Sequence, residues 1–211
     1  MKNVFIILII IMIPVFSGCY TDTIEDMSSV KFQIPIYFHQ DYHNKNVPDT
    51  SDEFSNLYEY ETYTENKNRV KKAEVFQFNY WVDSLVLENG TTYDPGVHEL
   101  SVEYLRFYIV FAEPKSPELE KSTDPDDFYI PDDAEKYILG EYNTIDVSSY
   151  YRNPEFIIDV DDETSAIISD LLKNKPYFYV VTETGPINNR QYNFPFIKSR
   201  FDLVIRLDVE I

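Results

Sequence analysis

The stretch FDLVIRLDVEI, residues 201–211, decides the fold class of this 211-residue chain. Apolar residues occupy every second position and alternate with Asp202, Arg206, Asp208 and Glu210. Successive side chains of a β-strand point to opposite faces, so this alternation gives one apolar face for a core and one polar face for water. The stretch therefore predicts a long amphipathic strand.

The same period of two recurs in VKFQIPIYF, residues 30–38. Pro35 has no N–H to donate to a ladder, so this strand is expected at the edge of a sheet. Residues 75–87 form a third strand that ends at the turn Asn89-Gly90. Residues 102–111 are apolar or aromatic on both faces, which indicates a central strand.

Shorter segments complete the predicted β structure. Residues 41–68 and 113–136 are polar and are predicted to be loops, although residues 57–63 could be a strand. The remaining strand candidates are residues 137–139, 156–160, 177–182 and 192–196.

One helix is predicted near residues 162–173. Asp161 or Asp162 can cap it, and acidic residues follow in its first turn, where they favour the helix dipole. Asn174 and Pro176 then end it. Its apolar face is expected to consist of Ile167, Ile168, Leu171 and Leu172.

Seven or eight strands with one short helix, and without alternation of strands and helices, predict an antiparallel β-sandwich. The arrangement is either immunoglobulin-like or a jelly roll, and the order of the strands is left open. The 18 Tyr and 15 Phe agree with this, because aromatic residues favour half-buried strand surfaces. Residues 29–211 are expected to form a single domain.

The first residues have the character of an export signal. Lys2 precedes residues 4–16, which carry no polar side chain and include Pro14. A helix needs about 20 apolar residues to span a bilayer core, so this run instead fits the apolar part of a secretory signal. Small residues follow, and then Cys19.

Phe16-Ser17-Gly18-Cys19 resembles the lipobox of bacterial lipoprotein precursors, with Phe16 where Leu is usual. The resemblance implies cleavage before Cys19, acylation of its thiol and new amino group with chains such as palmitate, and anchoring to a lipid bilayer. Residues 1–18 are then a signal peptide and residues 19–28 a tether. Cys19 is the only cysteine, which excludes a disulfide within the chain.

The residues after Cys19 bear on localisation. By resemblance to the sorting rule of enteric bacteria, Tyr20 in place of Asp favours the outer membrane over the inner one. Asp22, Glu25 and Asp26 resemble the surface-export signals of Bacteroidetes lipoproteins. An outer-membrane lipoprotein of the cell envelope is therefore expected, either periplasmic or exposed on the surface.

The charge of the chain excludes one class of partner. The full sequence has 18 Lys plus Arg against 37 Asp plus Glu, and removing residues 1–18 removes only Lys2, which changes the net charge from −19 to −20. Such a field repels nucleic acid. The densest basic stretch, residues 69–72, lies between Glu65 and Glu74 and is interpreted as the solvent-exposed start of a strand.

No motif of a known catalytic centre is present: the sequence has neither Gly-x-Ser-x-Gly nor a Gly-rich phosphate loop. His39 and His43 are four residues apart, the spacing of a helical zinc site, but His39 ends a strand. These two residues and His98 are interpreted as surface histidines.

Two acidic groups could supply oxygen ligands to calcium. The first is Asp159, Asp161, Asp162 and Glu163, and the second is Asp124, Asp126, Asp127, Asp132 and Asp133. The alternative is that the first group caps the helix and the second is a solvated loop. No other cofactor is indicated.

Aromatic residues are the last candidates, since exposed rings can stack on sugars. The candidates are Trp81, Tyr58, Tyr60, Tyr150 and Tyr151, with Tyr63 beside them. The alternative is core packing for Trp81 and ordinary loop positions for the tyrosines.

These patterns favour a non-enzymatic binding, adhesion or assembly module whose partner is an envelope protein or a glycan. For assembly, the last strand could pair with the sheet edge of another chain. One alternative is a surface glycan-binding lipoprotein. Another is an envelope hydrolase with clustered carboxylates, which requires a concave site and a carboxylate of raised pKa.

Overall fold

A computed structural model describes residues 29–43, 49–87, 89–186 and 196–211. Within these ranges the chain forms nine strands and two α-helices. The strands are β1 Ser29–His43, β2 Asp49–Asn56, β3 Val70–Val86, β4 Ser101–Phe111, β5 Glu113–Pro114, β6 Phe128–Tyr129, β7 Lys136–Asp146, β8 Tyr177–Thr184 and β9 Phe196–Glu210. The helices are α1 Glu61–Asn66 and α2 Asp162–Asn174.

The fold is a mainly β, antiparallel sandwich, which confirms the predicted class. One sheet has the order β1-β9-β3 and the other β2-β8-β4-β7, while β5 and β6 form a separate two-residue ladder. The two large sheets meet through fully buried aromatic side chains. Phe107 of β4 packs edge-on against Phe78 of β3, with ring centroids 5.2 Å apart, and lies 4.9 Å from the ring of Tyr80.

The strand order is that of a jelly roll. Residues 150–158 run beside β3, where Tyr80 N donates to Phe156 O at 3.2 Å and Ile158 N donates to Phe78 O at 2.8 Å. If this segment is counted as a sixth strand and the two-residue strands are left out, the first strand pairs with the eighth. The second then pairs with the seventh, the third with the sixth and the fourth with the fifth. Of the two predicted arrangements, this order is the jelly roll.

The positions of the strands confirm two predictions and overturn one. In the described residues β1 pairs only with β9, so the strand with Pro35 lies at an edge, and β4 lies centrally between β8 and β7. However, β9 pairs with both β1 and β3 along its length. The expectation that the last strand is free to pair with another chain was therefore wrong, since both of its edges are used.

The polar segment at residues 41–68 is more ordered than predicted. It contains β2, whose sequence DTSDEFSN has no apolar alternation and is held by its register with β8. Residues 57–59 are a 3₁₀ turn followed by α1, so the strand considered at 57–63 is absent. The Asn56 side chain starts that turn by accepting from Tyr58 N at 3.1 Å.

Other boundaries also differ from the prediction. The strand predicted at residues 137–139 extends over all of β7, whereas residues 156–160 form only an isolated bridge, between Ile157 and Asn79. Residues 192–195 lie outside the described residues, and Phe196 begins β9. The predicted signal peptide, Cys19 and the tether at 19–28 also lie outside them.

Helix α2 confirms the one predicted helix. Asp161 caps it by accepting from Thr164 N at 2.9 Å, and Ile168 and Leu172 are fully buried. Ile167 remains 42% exposed, so the buried stripe is narrower than the sequence indicated. Within the ranges described, no helix has the length and apolar character needed to cross a membrane.

Candidate ligand-binding face

The three-stranded sheet turns one side away from the core. On β1 the side chains of Ile36, Phe38 and Gln40 are buried, so the intervening residues face outward. The register joins them into rows with β9 and β3. We call this surface the outer face; it consists of Tyr37 with Asp202, His39 with Arg200 and Trp81, and Asp41 with Lys198.

Aromatic side chains flank this face on both outer strands. Tyr37 on β1 is 65% exposed, and Trp81 on β3 is half-buried. Neighbouring strands lie about 4.8 Å apart and residues two apart along a strand about 6.7 Å apart, which places the two Cα atoms roughly 12 Å from each other. The charged side chains of β9 lie between the two rings.

Asp83 holds the Trp81 side of the face in position. Its Oδ1 accepts from Trp81 Nε1 at 2.8 Å, its Oδ2 forms an ion pair with Arg200 Nε, and its backbone oxygen accepts from Arg152 Nε at 3.1 Å. The register of β3 shifts between Val82 and Ser84, so Asp83 is the additional residue of a bulge. Bulges re-aim side chains, and here the bulge directs one carboxylate to both an indole and a guanidinium.

A cleft of mixed charge lies next to this face. Its volume is ≈ 510 Å³, and Lys198 Nζ lies 3.4 Å from Asp41 Oδ2 within it. Lys198 and Arg200, the two basic side chains that line it, each have a carboxylate partner. The lining residues are His39, Asp41, Glu53, Asp83, Lys198, Ser199 and Arg200.

Two carboxyl groups of this region have raised pKa values. Burial raises the pKa of Glu53, and the nearby charge of Asp52 adds to this effect. Burial likewise raises the pKa of Asp202, although Arg200 and His39 act in the opposite direction. Glu53 thus meets the requirement of the hydrolase alternative for a carboxylate of raised pKa in a concave site.

Paired carboxylates line the rest of the cleft. A two-carboxylate glycosidase needs a second carboxylate that can act as nucleophile or as base toward a water. In this cleft Asp41 is paired with Lys198, and Asp83 is paired with Arg200. The Asp83–Arg200 pair and the bond from Trp81 to Asp83 fix the polar groups on that side of the cleft, which favours a stable recognition surface.

The five predicted aromatic residues do not form a common surface, and Trp81 is the one that lies on the outer face. Tyr150 is 3% exposed and packs against Tyr80, with ring centroids 5.8 Å apart, so its expected role as an exposed ring is not met. Tyr151 is half-buried against Tyr93.

The tyrosines near α1 are held by other contacts. Tyr58 donates its hydroxyl to Glu120 Oε1 at 2.6 Å, and Lys67 Nζ lies 4.5 Å from the centre of its ring. Tyr60 is half-buried and Tyr63 fully buried. Tyr37 was not among the candidate binding residues predicted from the sequence. It could have been found, because Tyr37 is an aromatic residue at one of the solvent-facing positions of the alternating stretch 30–38.

One carboxylate of each acidic group accepts hydrogen bonds that shape the local chain. Asp161 accepts from both Thr164 N and Thr164 Oγ1, the latter at 2.6 Å, and Asp124 accepts from Asp126 N at 2.9 Å. In the part of the chain that the structure describes, no group of three or more His, Cys, Asp or Glu residues could hold a metal ion. His98 Nδ1 accepts from Asp94 N at 2.9 Å, and the side chain of His43 lies outside the described part.

Comparisons with known proteins add little. Neither a protein family nor a curated protein matches the sequence. Among solved structures, the decameric BFDV capsid protein is similar with a TM-score of 0.36 and 9% identity over 84% of this chain and 99% of that chain. Turnip yellow mosaic virus follows with a TM-score of 0.25 and 8% identity over 87% and 96%.

Proposed function

We propose that this protein is a lipid-anchored, non-enzymatic binding module of the cell envelope and that the outer face is its binding surface. The observation that carries the proposal is the exposed Tyr37 and the half-buried Trp81 on one face, beside polar groups fixed by Asp83. The lipobox-like Phe16-Ser17-Gly18-Cys19 supports the anchoring.

The packing of the sandwich gives no structural role to Tyr37. The core beneath β1 is filled by the neighbouring Phe38, whose ring lies 4.4 Å from that of Phe201. Tyr37 points the other way and is 65% exposed. Single exposed apolar residues are common, but Tyr37 lies one row from Arg200, which Asp83 fixes, and an exposed aromatic residue beside a fixed polar group is typical of a recognition surface.

The anchoring is tested by the variant Cys19→Ser in producing cells fed with alkyne-labelled palmitate. We expect the parent protein to be labelled and to sediment with membranes, and Cys19→Ser to lack the label. Asp83→Asn serves as the control because it keeps the lipobox and should still be labelled. Labelling of Cys19→Ser to the level of the parent would refute acylation at this residue.

Protease treatment of intact cells then determines which side of the outer membrane the domain occupies, with lysed cells as the control. Loss of the domain from intact cells supports adhesion, surface assembly or glycan capture. Protection until lysis refutes those surface roles and leaves a periplasmic binding partner as the proposal.

A hydrolase is the second candidate, and the raised pKa of Glu53 is the observation that favours it. It is tested by incubating the purified protein with polysaccharides and measuring the release of reducing ends. Under the proposed binding function no release is expected. Release that Glu53→Gln abolishes would instead establish the enzyme.

A further inference from the structure

We infer that the ligand of the outer face is a neutral oligosaccharide that stacks on Tyr37 and Trp81, an inference that rests on the proposed binding function. A pyranose ring has apolar C–H faces and a rim of hydroxyl groups. It therefore binds where an aromatic ring lies next to hydrogen-bonding side chains. The outer face combines these two features in adjacent rows.

Both aromatic side chains present ring surface on which a sugar can stack. The indole N–H of Trp81, its one polar group, is already bonded to Asp83 at 2.8 Å. What Trp81 can still offer to a ligand is apolar ring surface. Tyr37 is 65% exposed at the opposite side of the face, so a ligand that spans β9 contacts both rings.

The polar groups between the rings favour a ligand rich in hydroxyls. His39, Arg200 and Asp202 lie in the two rows that contain Tyr37 and Trp81. Sugar hydroxyls both donate and accept, so they can satisfy a guanidinium and a carboxylate side by side. An apolar protein surface would remove water from Asp202 and from the Arg200–Asp83 pair without replacing its hydrogen bonds, which is costly.

The charges select a neutral sugar over an anionic one. Lys198 and Arg200 are neutralised by Asp41 and Asp83, so no free cation of this pair remains to attract a uronate or a sulfate. Glu53 adds negative charge to the cleft, and Asp202 adds negative charge in the row of Tyr37. The chain without residues 1–18 carries −20 overall, which further disfavours anionic ligands.

Trp81 is the only tryptophan of the chain, so its fluorescence reports on this face directly. Full-length protein in a non-glycosidic detergent is titrated with neutral hexasaccharides of glucose, mannose, xylose and galactose, and with oligogalacturonate as the anionic probe. We expect at least one neutral sugar to change the Trp81 emission in a saturable way, and oligogalacturonate to leave it unchanged.

The variant Tyr37→Ala should weaken the binding of that sugar by about tenfold, the loss expected for one stacked ring. Tyr129→Ala is the matched control, because Tyr129 is 45% exposed but lies on β6, and it should bind like the parent. Trp81→Phe keeps an apolar ring, should retain the fold, and should weaken binding measured by calorimetry.

Three outcomes would overturn the inference. They are no binding of any neutral sugar, tighter binding of the anionic probe, or equal affinities for Tyr37→Ala and Tyr129→Ala. If the neutral sugars fail but Tyr37→Ala abolishes the binding of a purified envelope protein, the sugar is refuted while the proposed binding function stands. If Cys19→Ser is still labelled to the level of the parent, acylation at Cys19 is refuted independently of the ligand.

Discussion

At the scale of single residues, Asp83 has the largest influence on the outer face, because Trp81 and Arg200 both depend on its carboxylate. Replacing it in Asp83→Ala removes a hydrogen bond and an ion pair, but both partners can turn toward water. We therefore expect the free energy of unfolding to fall by about 1 kcal/mol, measured by urea denaturation with circular dichroism. The Trp81 emission of the folded protein should change as well.

Asp41→Ala is the control for Asp83→Ala. Asp41 pairs with Lys198 at 3.4 Å, but the two side chains are 54% and 53% exposed. We expect a change below about 0.5 kcal/mol and no change in the Trp81 emission. If the two variants lose the same free energy of unfolding, the bonds of Asp83 to Trp81 and Arg200 stabilise the fold no more than an exposed ion pair does.

Gly140 on β7 lies so close to the side chain of Ile158 that a larger residue would collide with it. A Cβ atom at this position would lie 2.3 Å from Cγ2 of Ile158, which is itself buried. Gly140→Ala should therefore lower the free energy of unfolding by about 1–3 kcal/mol through overpacking. Urea denaturation of Gly140→Ala, Ile158→Ala and the double variant measures the coupling.

Ile158→Ala removes the atom with which the new Cβ collides. The double variant should thus be more stable than the sum of the two single losses indicates. Strict additivity would mean that the backbone of β7 relaxes and that Gly140 is not needed for packing.

At the scale of secondary-structure elements, Glu74 links β3 to β9. Burial tends to raise the pKa of Glu74, but hydrogen bonds from Lys72 and Arg206 outweigh it and lower the pKa below its ordinary value of 4.5. The unfolded chain then takes up the proton first as the pH falls. The stabilisation is therefore present above pH 4.5 and is lost as the pH falls toward the lower pKa of the folded state.

Glu74→Gln should lower the free energy of unfolding by about 1.5 kcal/mol at neutral pH, with the difference shrinking as the pH falls below 4.5. Urea denaturation across this pH range measures it. Glu210→Gln is the control, because its pair with Lys71 is largely exposed and should contribute below about 0.5 kcal/mol at neutral pH. If the difference in unfolding free energy between the parent and Glu74→Gln is constant with pH, the lowered pKa of Glu74 does not contribute to stability.

The start of α2 depends on Asp161. Its carboxylate accepts from Thr164 N and Thr164 Oγ1, and Asp161→Ala leaves that amide without a partner. We expect a lower thermal midpoint and faster hydrogen exchange at Thr164. Asp161→Asn keeps an acceptor in place and should stay close to the parent. If both variants lose the same stability, the negative charge matters and the hydrogen bond does not.

The elements that could be predicted from sequence are those with a local pattern. The core side of β1, β4 and β9 alternates along the chain, and α2 carries both its cap and its apolar stripe. The sequence of β2 has no such pattern, because its place is set by pairing with β8 more than 120 positions later in the chain. The outer face was missed as a unit for the same reason, since Tyr37, Arg200 and Trp81 meet only through the register.

At the scale of the whole molecule, charge has the largest influence on how stability responds to the solvent. The chain without residues 1–18 carries −20, whereas the described residues contain nine ion pairs, most of them partly exposed. Salt weakens both the repulsion and the pairs, and the excess of like charge makes the repulsion the larger effect. We therefore expect the thermal midpoint to rise between about 10 mM and about 150 mM NaCl, over which the Debye length falls from about 30 Å to about 8 Å.

The same measurement with calcium separates screening from specific binding. Asp161 is committed to capping α2, so the acidic group formed by Asp159, Asp161, Asp162 and Glu163 has one fewer carboxylate to give to an ion. We expect CaCl₂ and MgCl₂ at equal concentration to raise the thermal midpoint equally, because both then act only by screening. A calcium site with a Kd one tenth of the added concentration would add about 1.4 kcal/mol to the free energy of unfolding. An excess of that size for calcium, lost in a variant with Asp159→Asn and Asp162→Asn, would contradict this expectation and establish a calcium site at the start of α2.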